Sequence, residues 1–467
     1  MASSESDISS LPELILPKKP FTKKLEPKLS FFDLFRIIES EQQNCFLLES
    51  LDINNRHSRY SAIGFDPIAI LTGQPGRLIW QSSRHNVKQA EAKCENPYWA
   101  LRDWFSQDML SRNYAGGLVG NIGYDATVFF EHHLELKLHD QFAPFMFGLY
   151  LDGLVYDTMT GEIFYYSYGE DRSDLVESYI ERPVLRSGNA KVRYLGASKT
   201  EEQHKAMVDA AKEEIRAGNT FQCQIGFQRN YAIEGDTLTI YERLRRISPS
   251  PFMFYVKFDE AKLIGASPEL VFLQQGEMET YPLAGTAPRG KTDDEDLILA
   301  RSLLNDPKEV AEHNMLVDLH RNDLGRVARF GTVKVRHLMD IRKFSHVQHI
   351  SSEVVGILSR DKSMFDGLAS CFPAGTLSGS PKIESMKIIQ KIEGDSRGPY
   401  GGAVGQFGFN GNATFTIPIR TLFIHGQSAF ARASSGIVYD SIAKNEYDEI
   451  QRKLAAMDTC LKEFIES

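Results

Sequence analysis

The chain has 467 residues, enough for roughly three domains or one large composite fold, and its 42% hydrophobic and 25% charged residues are ordinary for a soluble globular protein. With 53 Lys+Arg against 62 Asp+Glu the net charge is −9, which argues against nucleic acid or an anionic membrane as the main partner. Five widely spaced cysteines with no CxxC pair read as reduced thiols and not as a disulfide framework.

The opening MASSESDISSLPELILPKKP lacks the apolar core of a secretory signal. No apolar run approaches the roughly 18 residues of a membrane span, so a cytoplasmic protein is expected. Residues 1–30 read as a polar, proline-punctuated tail. The region 31–180 mixes a short helix at Phe31–Glu41 with β-rich runs around 45–48, 68–71 and 117–122. A polar stretch with one Pro and two Gly, 181–199, is the expected linker, and 200–467 is the expected catalytic region. That region opens with a helix: Thr200 and Gln203 have capping-box spacing, Met207, Ala210, Ala211 and Ile215 share a face, and Gly218 ends it. Strand patterns follow at 252–258, 262–266, 269–273 and 277–282. Asp306, Pro307 and Glu309 announce a second helix. Strand patterns return at 414–423 and 428–433. A last helix, 444–466, places Tyr447, Ile450, Leu454, Met457 and Leu461 on one stripe. Consecutive strands with separate helices read as α+β with largely antiparallel sheets.

Familiar nucleotide motifs are absent. The loop GTLSGSPK has neither the glycine spacing nor the Lys placement of a Walker A loop, and the glycines after residue 400 do not spell GxGxxG, so ATP and NAD are poor candidates. Acid pairs are more informative. Glu309 and Glu312 are three apart on one helix, as are Glu446 and Glu449 on another. Two such helices face to face could offer four carboxylates to a hard cation, of which Mg²⁺ takes one or two directly; a solvated helix face is the alternative. His349 lies in a strand pattern, where a structural role competes with a catalytic one. Thr376 lies in a loop of small residues that lets a ligand approach the backbone. Arg420, a charge inside an apolar strand pattern, needs either an internal acid or a substrate carboxylate.

Taken together, GASPELVF, YPLAGTAPRG, DPKEVAEHNMLVDLHRNDLGRV, HVQHISSEVVG, FPAGTLSGSPK, RGPYGGAVG, IPIRT and SSGIVYDS with EIQRK make residues 200–457 resemble the chorismate-utilising enzymes. That family comprises the anthranilate, aminodeoxychorismate, isochorismate and salicylate synthases. LLES at 47–50, followed after ten residues by Ser61, resembles the feedback tryptophan-site motif of that family's anthranilate synthases. The resemblance implies two large, mostly antiparallel sheets packed together with helices outside.

It also implies roles for individual residues. Glu312 and Glu449 would bind Mg²⁺ directly, with Glu309 and Glu446 in support. Glu269 would be the general acid for the departing 4-hydroxyl of chorismate, a role that needs a raised pKa, and His349 would serve the later loss of pyruvate. Tyr400 and Arg420 would grip the enolpyruvyl carboxylate, with backbone contacts from Gly285, Thr286 and Gly436, and Thr376 would line the pocket. Tryptophan would meet Leu48, Glu49, Ser50, Ser61, Pro251, Phe252 and Met253.

The loop PLAGT has Ala284 where the aminodeoxychorismate branch has a nucleophilic Lys, and a methyl group cannot attack the ring. The segment Phe221-Gln222-Cys223-Gln224 lacks the Lys with which the water-using branches activate their nucleophile. The resemblance therefore implies the anthranilate-forming branch: chorismate and ammonia in, anthranilate and pyruvate out. No cysteine has the glycine flanks of a glutaminase nucleophile, so ammonia is expected from a separate glutamine amidotransferase subunit. Two departures stand out: Ser434-Ser435-Gly436 where the family often has GAG, and Gln406 where an aromatic usually follows GGAVG.

Overall fold

A computed structural model of the chain describes residues 8–52, 59–112, 114–343 and 347–465. Among them, two 12-stranded sheets form, and every pairing between strands is antiparallel. From edge to edge the first sheet runs Phe21–Leu25, Glu162–Ser167, Asp152–Asp157, Tyr60–Phe65, Asn44–Glu49, Phe252–Phe258, Ala261–Ser267, Thr421–His425, Ser428–Ile437, Gln222–Gly235 and Ala190–Ala197, with the short Gly379–Ser380 on Gln222–Gly235. The second runs Leu283–Pro288, Val347–Gly356, Glu277–Thr280, Leu270–Gln275, Ala413–Thr416, Ala403–Gly408, Gly117–Ile122, Phe145–Tyr150, Ala69–Gln74, Arg77–Gln81 and Gln89–Lys93; Lys334–Lys343 pairs with Val347–Gly356 off that path.

Side-chain alternation explains how the sheets pack. In Phe252–Phe258, Phe254, Val256 and Phe258 join the apolar cluster shared with the second sheet, where Phe147, Phe407 and Phe415 lie. Met253 and Tyr255, on the other face, join a cluster with Phe35 and Ile38 of one helix and Ile450 and Leu454 of another. Phe46 of the first sheet meets Tyr150 of the second edge to face at 4.7 Å. Helices thus cover the outer face of the first sheet, as the α+β reading expects.

The signalled helices form where their caps lie. Thr200 completes a capping box with Gln203 ahead of Glu201–Arg216. The Asp306 side chain accepts from the amides of Lys308 and Glu309 at 2.9 and 3.3 Å and starts Pro307–Gly325. All five cysteines are free and buried. No described helix is long and apolar enough to cross a membrane.

Three expectations change. The pattern at 414–423 is not one strand: Ala413–Thr416 belongs to the second sheet and Thr421–His425 to the first, so Arg420 lies in the crossing and not inside a strand. Pro418 has no N–H to give a ladder, and Arg420 takes a left-handed backbone with φ 51°, which turns the chain. Within the expected linker 181–199, Ala190–Ala197 is an edge strand paired with Gln222–Gly235; polar composition suits an edge whose outer row faces water. Within the expected tail, Phe21–Leu25 pairs with Glu162–Ser167. Strands from 31–180 and from 200–467 form contiguous blocks within each sheet, joined where Asn44–Glu49 pairs with Phe252–Phe258 and where Gly117–Ile122 pairs with Ala403–Gly408.

Candidate active site

Two crossings between the sheets place the central residues. The chain passes from Ala261–Ser267 in the first sheet to Leu270–Gln275 in the second through residues 268–269, and returns from Ala413–Thr416 to Thr421–His425 through 417–420. The crossings are stitched together: Ile417 N and Thr416 Oγ1 donate to Glu269 O at 3.0 and 2.5 Å, and Ala266 N donates to Arg420 O at 3.2 Å. Glu269 and Arg420 therefore sit side by side although 151 positions separate them (420 − 269).

The Glu269 side chain is buried, and Thr376 Oγ1 donates to its Oε1 at 2.7 Å. Burial pushes this carboxyl up to about 7, against the Thr376 bond and the positive fields of Lys453 and Arg420. It can hold a proton at neutral pH and release it to a leaving group, as the resemblance requires of an acid.

His349 stands on Val347–Gly356, next to Leu283–Pro288. The pairing register slips between Ala284 and Thr286, where Gly285 takes φ 69°. That bulge turns the Gly285 carbonyl toward His349, which meets it through Nδ1 at 2.8 Å. A carbonyl only accepts, so Nδ1 carries the hydrogen and Nε2 is the basic nitrogen. Burial pulls the ring's pKa below its ordinary value, so it is neutral at physiological pH. Ala284 is buried opposite Ile350. The Thr286 backbone pairs with His349, and its side chain lies outside the described residues.

Tyr400 is buried, its hydroxyl 2.9 Å from Ser434 Oγ, which in turn donates to Gln224 Oε1 at 3.1 Å. A Cβ on Gly436 would fall 2.5 Å from Gln222 Nε2 and 3.0 Å from Gln224 Nε2, so glycine is what lets these two amides reach over the strand. Lys453, which the residue-by-residue reading missed, ties this wall together. Its ammonium donates to Ser434 O at 2.8 Å and pairs with Glu449 at 2.7 Å, and its charge acts on Glu269, His349 and Tyr400 alike. The four-residue step from Glu449 in EIQRK was the available signal.

The acid pairs lie on Pro307–Gly325 and Ala443–Leu461. Burial raises the Glu309 carboxyl, and the charges of Glu312, Asp306 and, from the other helix, Glu449 raise it further. Glu446 is raised by burial and by Glu449. A Cβ on Gly285 would lie 3.0 Å from Glu309 Oε2, which brings this helix to Leu283–Pro288, the strand beside His349. Glu312 accepts from Gln222 Nε2 at 3.2 Å. Among the described residues no three His, Cys, Asp or Glu side chains stand close enough to hold a metal together. The donor set nevertheless suits Mg²⁺, which takes one or two carboxylates and keeps waters, and mutual repulsion across the two helices is what a divalent cation relieves.

Residues 43–459 match the sequence profile of the chorismate binding enzymes. The chain belongs to that family. Among curated members it is 53% identical to anthranilate synthase component 1 of Leptospira biflexa, over 97% of this chain and 98% of that one. It is 35% identical to aminodeoxychorismate synthase component 1 of Bacillus subtilis, over 95% of this chain and 97% of that one. Among solved structures, anthranilate synthase component I of Streptococcus pneumoniae superposes with a TM-score of 0.76 at 29% identity, covering 87% of this chain and 93% of that one. The recognition drawn from the motifs is borne out at the level of the chorismate-binding family, and so is the two-sheet fold.

A cavity in this family member lies between the sheets and reaches Thr416, whose hydroxyl donates to Glu269 O. Leu48, Glu49, Ser50, Pro251, Phe252 and Met253 line it, together with Val404, Gly405 and Thr414 from the second sheet. Ser61 does not join them. It lines an adjoining cleft that also reaches Glu49, Ser50 and Arg245. Glu49 is held by Arg245 through two bonds of 2.6 and 3.0 Å and accepts from the Tyr241 hydroxyl at 2.8 Å. Gln406 is buried on Ala403–Gly408 and is not part of the cavity wall.

Proposed function

We propose that this chain is the ammonia-using large subunit of an anthranilate synthase, converting chorismate and ammonia to anthranilate, pyruvate and water. The observation that carries the choice of branch is Ala284, a buried methyl on the strand beside His349 where a nucleophilic Lys would otherwise stand. With no side-chain nucleophile at that position, ammonia itself adds to the ring carbon ortho to the carboxylate.

Glu269 delivers its proton to the 4-hydroxyl as ammonia attacks, and the hydroxyl leaves as water. Its burial and the Thr376 hydroxyl keep that proton available and aimed. Arg420 and Tyr400 hold the enolpyruvyl carboxylate, the first through a guanidinium fork and the second through its hydroxyl, with Gly285, Thr286 and Gly436 supplying backbone contacts. In the second stage the ring loses its proton at the aminated carbon and the enolpyruvyl group departs as pyruvate; the Nε2 of neutral His349 is the base on this wall. Glu312 and Glu449, supported by Glu309 and Glu446, would hold Mg²⁺, which when bound neutralises the ring carboxylate and favours loss of the hydroxyl.

Ammonia comes from a separate glutamine amidotransferase subunit, and the protein works in the cytoplasm. The cavity at Leu48, Glu49 and Ser50 takes tryptophan as feedback inhibitor, with Ser61 acting from the adjoining cleft. Purified chain mixed with chorismate, Mg²⁺ and an ammonium salt should yield anthranilate, identified by chromatography and fluorescence. A para-amino product, isochorismate or salicylate would move the protein to a sister branch.

A further inference from the structure

Arg397 is almost wholly enclosed, with 2% of its surface exposed, in the segment between Lys382–Glu393 and Ala403–Gly408. Its side chain makes no hydrogen bond or ion pair to a group assigned to substrate, although its carbonyl accepts from Tyr400 N at 3.2 Å; the reaction as described leaves the guanidinium unused. Its guanidinium makes four bonds in different directions. Nε and Nη2 form a fork on Glu393 at 2.9 and 2.8 Å. Nη1 donates to Leu377 O at 2.6 Å and Nη2 to Gln224 O at 2.7 Å. Its Cζ lies 4.6 Å from the Tyr124 ring centre and 5.9 Å from that of Tyr400. Behind it, Glu393 accepts from Arg432 at 2.8 Å and from Gly226 N at 2.8 Å, while Asp125 accepts from Arg397 N and Gly398 N at 3.3 and 3.1 Å.

Both carbonyls matter for what they carry. Leu377 directly follows Thr376, the donor to Glu269. Gln224 holds Ser434, and Ser434 holds the Tyr400 hydroxyl. One rigid, planar cation therefore ties the turn beside the acid to the chain of hydroxyls that ends at Tyr400. A buried ion pair is weak support for stability, whereas a fork with fixed geometry sets the relative placement of whatever it bonds.

We propose that Arg397 is the positioning residue of this site: bonded to Leu377 O and Gln224 O and anchored by Glu393, it sets the Thr376 hydroxyl on Glu269 and Tyr400 on the substrate carboxylate with a single side chain. The inference rests on Glu269 acting as the acid. It gives Arg397→Lys a signature that general loosening would not produce. Lys keeps the charge opposite Glu393 but loses the fork, so the turn relaxes and Thr376 no longer bonds Glu269. That bond favours the ionised carboxyl; without it the acid keeps its proton to higher pH.

The test is the pH profile of kcat/KM for chorismate, with Mg²⁺ saturating and free ammonia held constant, in wild type, Arg397→Lys, Thr376→Val and the double variant. The alkaline limb should move up by about half to one pH unit in Arg397→Lys and by the same amount in Thr376→Val, and the double variant should move no further. KM for chorismate should rise in Arg397→Lys and not in Thr376→Val, because only the first also disturbs Tyr400. An unmoved limb in Arg397→Lys, or shifts that add in the double variant, overturns the proposal. Glu269→Gln separates the two ideas: an alkaline limb surviving in that variant rejects the acid reading, whatever Arg397 does. If Arg397→Lys does not retain the wild-type circular dichroism, Arg397→Gln, which leaves Glu393 its bond from Arg432, is read in the same way.

Discussion

Glu269 owes its chemistry to its surroundings. Burial raises its carboxyl from 4.5 to about 7, so the folded chain keeps a proton that the unfolded chain has already released. The sign follows: between about pH 4.5 and 7 the native state binds more protons, so stability falls as pH rises through that window and the loss is complete above it. At about 1.4 kcal/mol per unit the loss reaches up to about 3 kcal/mol. Glu269→Gln, neutral throughout, should melt higher than wild type at pH 8 and nearly alike at pH 4.5, while chorismate turnover drops by about 10²-fold or more. A variant that turned over normally would remove the acid assignment; equal melting differences at both pH values would remove the buried-proton account. Wild-type turnover should decline as pH rises through about 7.

The carboxylate helices are the next scale. Pro307–Gly325 starts at an Asp306 cap that holds Glu309 in its first turn, and Ala443–Leu461 presents Glu446 and Glu449 one turn apart. On such elements side chains at i and i+3 share a face, so the spacing alone put each pair together. Facing of the two helices is a tertiary matter, visible in the charge of Glu449 acting on Glu309. Glu449→Gln keeps the shape of the side chain and its helix but removes half of the proposed direct Mg²⁺ contact. It should abolish anthranilate formation while circular dichroism and melting stay within a few degrees of wild type; unimpaired turnover would sink the metal assignment.

At the scale of the molecule, the two sheets share both the candidate active site and the proposed tryptophan cavity. The crossings at 268–269 and 417–420 carry Glu269 and Arg420, and the cavity beside Ser50 takes its walls from Phe252–Phe258 of one sheet and Ala403–Gly408 of the other. An occupant of that cavity would press on both sheets and so on the crossings between them. The free space there is about 30 Å³, room for about one or two waters, so an indole must part the strands to enter. Ser50 Oγ is buried with no partner among the described residues, which suits a hydrogen bond to such a guest. Ser50→Leu should fill the space and abolish tryptophan inhibition while ammonia-driven turnover stays within about twofold of wild type. Inhibition at full strength in that variant would place the inhibitor elsewhere.

Much was legible before the fold was known, because the signals are local. The strand pattern at 252–258, the capping box at Thr200, the Asp306-Pro307 start and the acid pairs each act within a few residues, and each stands where the sequence placed it. The family's motifs named Glu269, His349, Tyr400 and Arg420. The strand expected across 414–423 failed because apolar runs look alike whether they stay in a sheet or leave it, and only the pairing partners differ. Likewise the Thr376 bond to Glu269 joins residues 107 positions apart, and the Gln224 carbonyl meets Arg397 across 173. By itself the sequence determined which residues are chemically able: the acids, the neutral Ala284, the small-residue loops, the helices and most strands. The tertiary structure alone decided that Glu269 is dry enough to keep its proton, that Arg420 stands beside it at a crossing, and that Arg397 and Lys453 brace the walls. Burial and long-range register are set by how the whole chain minimises exposed apolar surface, and no short window of residues contains that sum.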